Sequence, residues 1–261
     1  MKRTRLFFIG IIALFVATLP AAAQEKLTSA DYTRMGEAAM QAKKYKKAVG
    51  YFRQAADGGD AQAQCRLAEC YYFKTGVHRS YKEAVSRSRI AAESGIAEAY
   101  YILGNCYYRG KGVKKDEAQA ARHYETAALQ GYAPAQEALG RCYANGAGVE
   151  QNETEAARWF AQAAEQGIAS AQFLLAACYH GGNGVEKSYD KAFFWYRKAA
   201  YQEYAEAQYF LGMCYYSGEG VKQDNRQAIQ WLQRALDNGL SGERASLSRD
   251  MLRRMAADKT Y

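Results

Sequence analysis

Proline is almost missing from this chain: Pro20 and Pro134 are the two it has in 261 residues. The principal helix breaker is therefore scarce, and abundant alanine adds to the same preference for helix. Histidine is also rare. His78, His123 and His180 stand at unrelated places with no ligand spacing between them, so no metal centre is expected. There is no block of five or six like charges; positive and negative residues alternate, although the formal net charge is +8. That pattern argues against a nucleic-acid partner. The longest apolar run, Leu6 to Leu19, is 14 residues long and interrupted by Gly10 and Thr18. A bilayer span needs about 20. The chain is also too long for a miniprotein held by disulfides, and 49% hydrophobic residues can build a sizeable interior.

The apolar run has another reading. Lys2, Arg3 and Arg5 precede it, and Ala21-Ala22-Ala23 follow it ahead of Gln24. A basic start, an apolar centre and small residues before a cleavage point make a secretory signal peptide, expected over residues 1–23. Its removal takes away three cations and leaves 32 Lys+Arg against 27 Asp+Glu, a net of +5. Export to the periplasm or medium is expected, with no membrane insertion after cleavage.

The remaining chain is periodic. Cys70, Cys106, Cys142, Cys178 and Cys214 are each 36 residues apart. Other columns keep the same step. Small residues open each copy, as at Ala97/Ala99 and Ala205/Ala207. A leucine follows (Leu67, Leu103, Leu139, Leu175, Leu211), then Ala68, Gly104, Gly140, Ala176 or Gly212, and a tyrosine four residues after the leucine. Leucine and tyrosine at i, i+4 predict a helix, here called helix A. Glycines then stop it, as at Gly110/Gly112 and Gly146/Gly148, and a valine column follows. Ser80, Asp116, Asn152, Ser188 and Asp224 are placed to cap a second helix, B. Glu83, Gln119, Glu155 and Gln227 are spaced to complete capping boxes. Alanine columns and the pairs Trp159/Phe160, Trp195/Tyr196 and Trp231/Leu232 mark helix B. Gly95, Gly131, Gly167 and Gly239 end it, with Glu203 as the exception.

A short hairpin cannot bury its apolar face alone, so such copies must stack. The expected fold is all-α: a right-handed α-solenoid of stacked helical hairpins. Five 36-residue copies fill 61–240. Gly36, Ala48, Phe52 and Ala55 continue the columns in a shorter, tetratricopeptide-like unit over 24–60, and 241–261 reads as a capping helix.

The columns A-x-A-x-x-x-L-G-x-x-Y, G-x-G-V and A-x-x-W-[YF]-x-x-A-A-x-x-G resemble the Sel1-like repeat, a relative of the tetratricopeptide repeat; Ala205 to Gly239 matches nearly every column. The resemblance implies an adaptor or scaffold. Exported, cysteine-rich members carry disulfides, and some were described as penicillin-binding or β-lactamase-like. This chain departs from them, because its cysteine column lies on helix A with no partner column on helix B. Equivalent positions of stacked helices lie on the order of 10 Å apart, whereas a disulfide needs Cα atoms within roughly 7 Å. The thiols therefore read as small buried apolar residues.

Catalytic motifs are weak. Ser188-Tyr189-Asp190-Lys191 spells S-x-x-K, but Ser188 falls in the cap column and no S-D-N or K-T-G element accompanies it. The glycine-rich turns lack the strand and G-K-[ST] of a phosphate loop. No cofactor is implied. What varies between copies is one face of helix A: Tyr72, Tyr101, Asn105, Tyr108, Arg141, Phe173, His180, Tyr209, Met213 and Tyr216. Tyrosine and arginine combine apolar area with a polar tip and favour interfaces. The expectation is a non-enzymatic exported scaffold that binds a protein or peptide on this concave face. A cell-envelope hydrolase and a purely structural spacer are the alternatives.

Overall fold

The computed structural model describes residues 27–257. The expected signal peptide lies outside the described residues. Among them are thirteen α-helices and no strand. Twelve form six antiparallel hairpins: α1 (Ser29–Gln41) with α2 (Tyr45–Asp57), α3 (Ala61–Phe73) with α4 (Tyr81–Glu93), and α5 (Ala97–Arg109) with α6 (Glu117–Leu129). They continue as α7 (Ala133–Asn145) with α8 (Glu153–Glu165), α9 (Ala169–Gly181) with α10 (Tyr189–Ala200), and α11 (Ala205–Ser217) with α12 (Asn225–Asp237). The last helix, α13 (Gly242–Ala257), packs on α12 and closes the row. Each helix touches its sequence neighbours, so the molecule is an all-α solenoid.

Each column has a physical task. Leucine and cysteine of helix A are buried together against the alanines of the preceding helix B: Leu139 and Cys142 with Ala120 and Ala127, and Leu175 and Cys178 with Ala156 and Ala163. The core is thus a series of interfaces between hairpins. Burying each leucine contributes about 1.5–3 kcal/mol. The tiny residue after leucine faces its own helix B. A Cβ on Gly104 would lie 2.5 Å from Tyr124, and one on Gly140 would lie 2.7 Å from Phe160. Glycine here permits a large ring on the facing helix.

The turns are built as the sequence suggests, with one correction. Ser80, Asp116, Asn152, Ser188 and Asp224 each accept a backbone N–H from three residues on. The reciprocal half of the capping box does not form at these sites. The cap residue's own N–H is already donated to the tyrosine-column carbonyl, as from Asp116 to Tyr107 and from Asn152 to Tyr143. This bond closes the loop between A and B. Among the described residues the full capping box is recorded at Thr28 with Asp31.

The second loop glycine joins neighbouring hairpins. Gly148 has φ +75°, and a Cβ there would meet the Glu117 carbonyl oxygen of the preceding hairpin at 2.0 Å; Gly184 and Gly220 stand likewise against Glu153 and Tyr189. Only a glycine lets these backbones touch.

Candidate binding surface on the A helices

Successive A helices are bridged directly by side chains. Arg66 on α3 reaches Glu37 on α1, Gln62 reaches Glu98 on α5, and Phe173 on α9 meets Phe210 on α11 with ring centroids 5.6 Å apart. Helices α3 and α5 approach one another, whereas no pair of successive B helices does so comparably. The A helices are therefore linked to one another along one side of the array.

The ten variable residues fall into three environments. Tyr108, Arg141 and Tyr216 are exposed, Tyr108 to 36% and Tyr216 to 41%. Arg141 is held by Glu137 at 2.8 Å. Tyr101, Asn105, Phe173, His180 and Met213 are half-buried. Tyr101 packs beside Tyr124 and Tyr132, and Phe173 beside Tyr196, Tyr204 and Phe210, so both rings serve contacts between hairpins. Asn105 accepts a hydrogen bond from the Tyr124 hydroxyl at 2.9 Å. His180 Nε2 lies 3.1 Å from Glu219 on the next loop and edge-on to Tyr189. Tyr72 and Tyr209 are buried, which leaves them little contact area to offer.

Charge on this face is uneven. Arg66 pairs with Glu37 at 2.6 Å and Glu69 at 3.0 Å, which fixes three ionisable groups across two hairpins. Burial pushes the Glu69 carboxyl up from its ordinary range, and Arg66 pulls against that shift. Further along, Ala177 and Met213 take the place of these charges. Burial likewise raises the hydroxyl of Tyr204, and Glu206 adds to the shift.

Two features escaped the sequence reading. Gln64, Gln136, Gln172 and Gln208 are buried, and each donates to a carbonyl of the preceding helix B (Ala56, Ala128, Ala164 and Ala200) at 3.1–3.2 Å. Their side-chain oxygens accept from Arg87, Gln166, Gln202 and Asn238. In hairpin 3 the Tyr100 hydroxyl takes the role, bonding Ala92. The recurrent Ala-Gln pair was the available signal. The Glu37–Arg66–Glu69 group had none, because it joins hairpins of unequal length.

The other candidates resolve simply. All six cysteines are free and buried. Burial pushes Cys106, Cys142 and Cys178 up to about 11 and Cys214 to about 12. The Ser188 hydroxyl accepts the Lys191 N–H at 3.3 Å, while the Lys191 ammonium lies over the Tyr179 ring. The S-x-x-K sequence is thus a helix cap. His123 stacks on Tyr107, and burial, with Arg89 nearby, lowers its pKa. Among the described residues no helix is long and apolar enough to cross a membrane.

Comparison with known proteins agrees with this geometry. A family profile described as Sel1 repeat matches residues 35–60, 61–95, 97–132, 133–168, 169–204 and 205–240. The crystal structure of c5321, a protective antigen of uropathogenic Escherichia coli strains with an SLR fold, is 30% identical with a TM-score of 0.74. The match covers 88% of this chain and 54% of that one, so this chain spans about half the antigen's length. A Sel1 repeat protein from Oxalobacter formigenes is 31% identical, with 80% and 86% of the two chains covered and a TM-score of 0.71. The immunity protein Pa5087 from Pseudomonas aeruginosa, 22% identical over 85% of each chain with a TM-score of 0.52, shares the fold. No curated protein matches the sequence. With the profile falling on all six hairpins, the chain belongs to the Sel1-repeat family.

Proposed function

We propose that this protein is an exported scaffold that binds a protein or peptide partner along the inner face of its A helices. The observation that carries the reading is the contrast between columns. Leucine, cysteine, glycine and glutamine are held nearly constant and spent on stacking, whereas the column shared by Tyr108 and Tyr216 and the column of Arg141 change from copy to copy, and these three side chains are exposed. A regular frame with a variable, aromatic and charged face suits recognition of an extended segment. The basic, apolar and small-residue pattern of 1–23 supports export.

The Ser188 cap gives the hydrolase reading no support, since the hydroxyl already serves the start of α10. The scaffold reading is tested with the triple variant Tyr108→Ala, Arg141→Ala, Tyr216→Ala. These three side chains are exposed, so the fold is expected to persist. Immobilised wild-type protein should capture a defined partner from cell-envelope extract, and the variant should lose it at unchanged melting temperature. Equal capture by both proteins would remove the inner face from the account.

A further inference from the structure

The outer surface of hairpin 5 departs from every other hairpin along a single line. On α10, Lys191, Phe194, Lys198 and Tyr201 follow one another at i, i+3, i+7 and i+10, which places them on one helical stripe. Tyr201, the residue capping α10, keeps helical φ and ψ and so continues the line. All four side chains are exposed, Phe194 to 41% and Tyr201 to 69%. The equivalent residues elsewhere are polar or charged with one exception. Ser86, Arg122, Arg158 and Gln230 occupy the Phe194 column; Glu93, Leu129, Glu165 and Asp237 occupy the Tyr201 column. The four sister hairpins of equal length stack without an aromatic residue at either place, so stacking does not require Phe194, and Tyr201 serves it only through its edge on Trp231.

The two lysines are held in place. The Lys191 ammonium sits 5.2 Å above Tyr179, and that of Lys198 sits 4.7 Å from the rings of both Phe194 and Trp195. Tyr201 is braced edge-on against the buried Trp231 at 5.4 Å. Each ammonium rests on an aromatic face and can turn N–H donors outward. Two further cations adjoin the ridge: Arg197 over Phe193 and Arg234 over Trp231. From Lys191 to Tyr201 the helix carries Lys191, Arg197 and Lys198 and no acidic residue, so its exposed ridge is positive.

We propose that this ridge is a second docking surface, distinct from the inner face, and that it takes an acidic amphipathic helix of a partner protein. Carboxylates of that helix meet Lys191 and Lys198, and its apolar side chains lie against Phe194 and Tyr201. Charge complementarity and the alternation of cation and ring at helical spacing select this occupant.

The test uses the full chain and a fluorescein-labelled helical peptide of Glu, Leu and Ala, with Glu and Leu alternating on one stripe. Two double variants probe the ridge: Phe194→Ser with Tyr201→Glu, residues that hairpin 2 carries in these columns, and Lys191→Gln with Lys198→Gln. Thermal melting verifies that both stay folded. Fluorescence polarisation should show binding that weakens at least about tenfold in either variant and weakens with added salt. Equal binding by the variants, or equal affinity for a peptide with Lys in place of Glu, overturns the proposal. So does binding to phosphatidylglycerol–phosphatidylcholine vesicles without binding to the peptide, or a dimer in sedimentation that Phe194→Ser with Tyr201→Glu abolishes.

Discussion

Replacing Gly148 by alanine should break the array at one joint, and replacing Gly167 by alanine provides the control. Both glycines have positive φ, +75° and +92°. An alanine in this left-handed region costs about 1–2 kcal/mol at either site. The surroundings differ. A Cβ on Gly148 would lie 2.0 Å from the Glu117 oxygen, 2.2 Å from its carbon and 2.6 Å from the Ala118 nitrogen, all backbone atoms at the start of α6; a Cβ on Gly167 would meet nothing within 4 Å. Backbone cannot swing aside as a side chain can, so the loop of hairpin 4 must lift away from hairpin 3. Overpacking of this kind adds about 1–3 kcal/mol. Gly167→Ala should therefore cost about 1–2 kcal/mol, and Gly148→Ala about 2–5. In an array whose units are stabilised by their neighbours, a weakened joint also uncouples the two sides. Urea unfolding followed by circular dichroism should show a normal slope for Gly167→Ala and a broadened or two-step transition for Gly148→Ala. Equal losses with equal slopes would refute the claim that this glycine is required by contact between hairpins.

Three further outcomes are expected. Gln172 donates to Ala164 and accepts from Gln202, so Gln172→Met, which keeps volume but strands both partners, should cost about 1–3 kcal/mol in urea melts; an unchanged midpoint would deny the ladder a role. Ser88 is fully buried and its hydroxyl has no hydrogen-bond partner among the described residues, so Ser88→Ala should be neutral or stabilising by up to about 2 kcal/mol, which calorimetry can read. The six buried thiols should be inert to a disulfide reagent at pH 8 and react on unfolding. Because burial raises them from 9.0 to about 11 or 12, the unfolded chain ionises first. Stability should hold below pH 9 and fall as pH rises through 11, and replacing Cys106 by alanine should flatten that fall.

The solenoid was legible because its columns repeat a physical requirement. Leucine and cysteine had to face another helix, glycine had to admit a ring or a carbonyl, and the cap residues had to serve a helix start. Five superimposed copies make such requirements visible where one would not. The binding face was less legible, because a column position does not say how far a side chain is covered. Tyr108 and Tyr72 share a column, yet Tyr72 is buried beside Phe73 and Tyr81 while Tyr108 is open. The capping boxes were misjudged for a related reason. The spacing Ser80–Glu83 suits a box, but the Ser80 N–H goes instead to Tyr71, a bond set by how the loop folds back. The glutamine ladder was present in the letters as Ala-Gln, but its partners belong to the preceding hairpin and carry no local pattern.

The central claim, that the inner face of the A helices is where a partner binds, is tested most directly by site-specific photocrosslinking in the native cell. A photoreactive residue would replace Tyr108 or Tyr216 on the A helices and, as controls, Ile90 or Leu129, which are exposed on the B side. The account predicts a common crosslinked partner from Tyr108 and Tyr216 and none from Ile90 or Leu129. The same partner captured from Ile90 and Leu129 alone would contradict it.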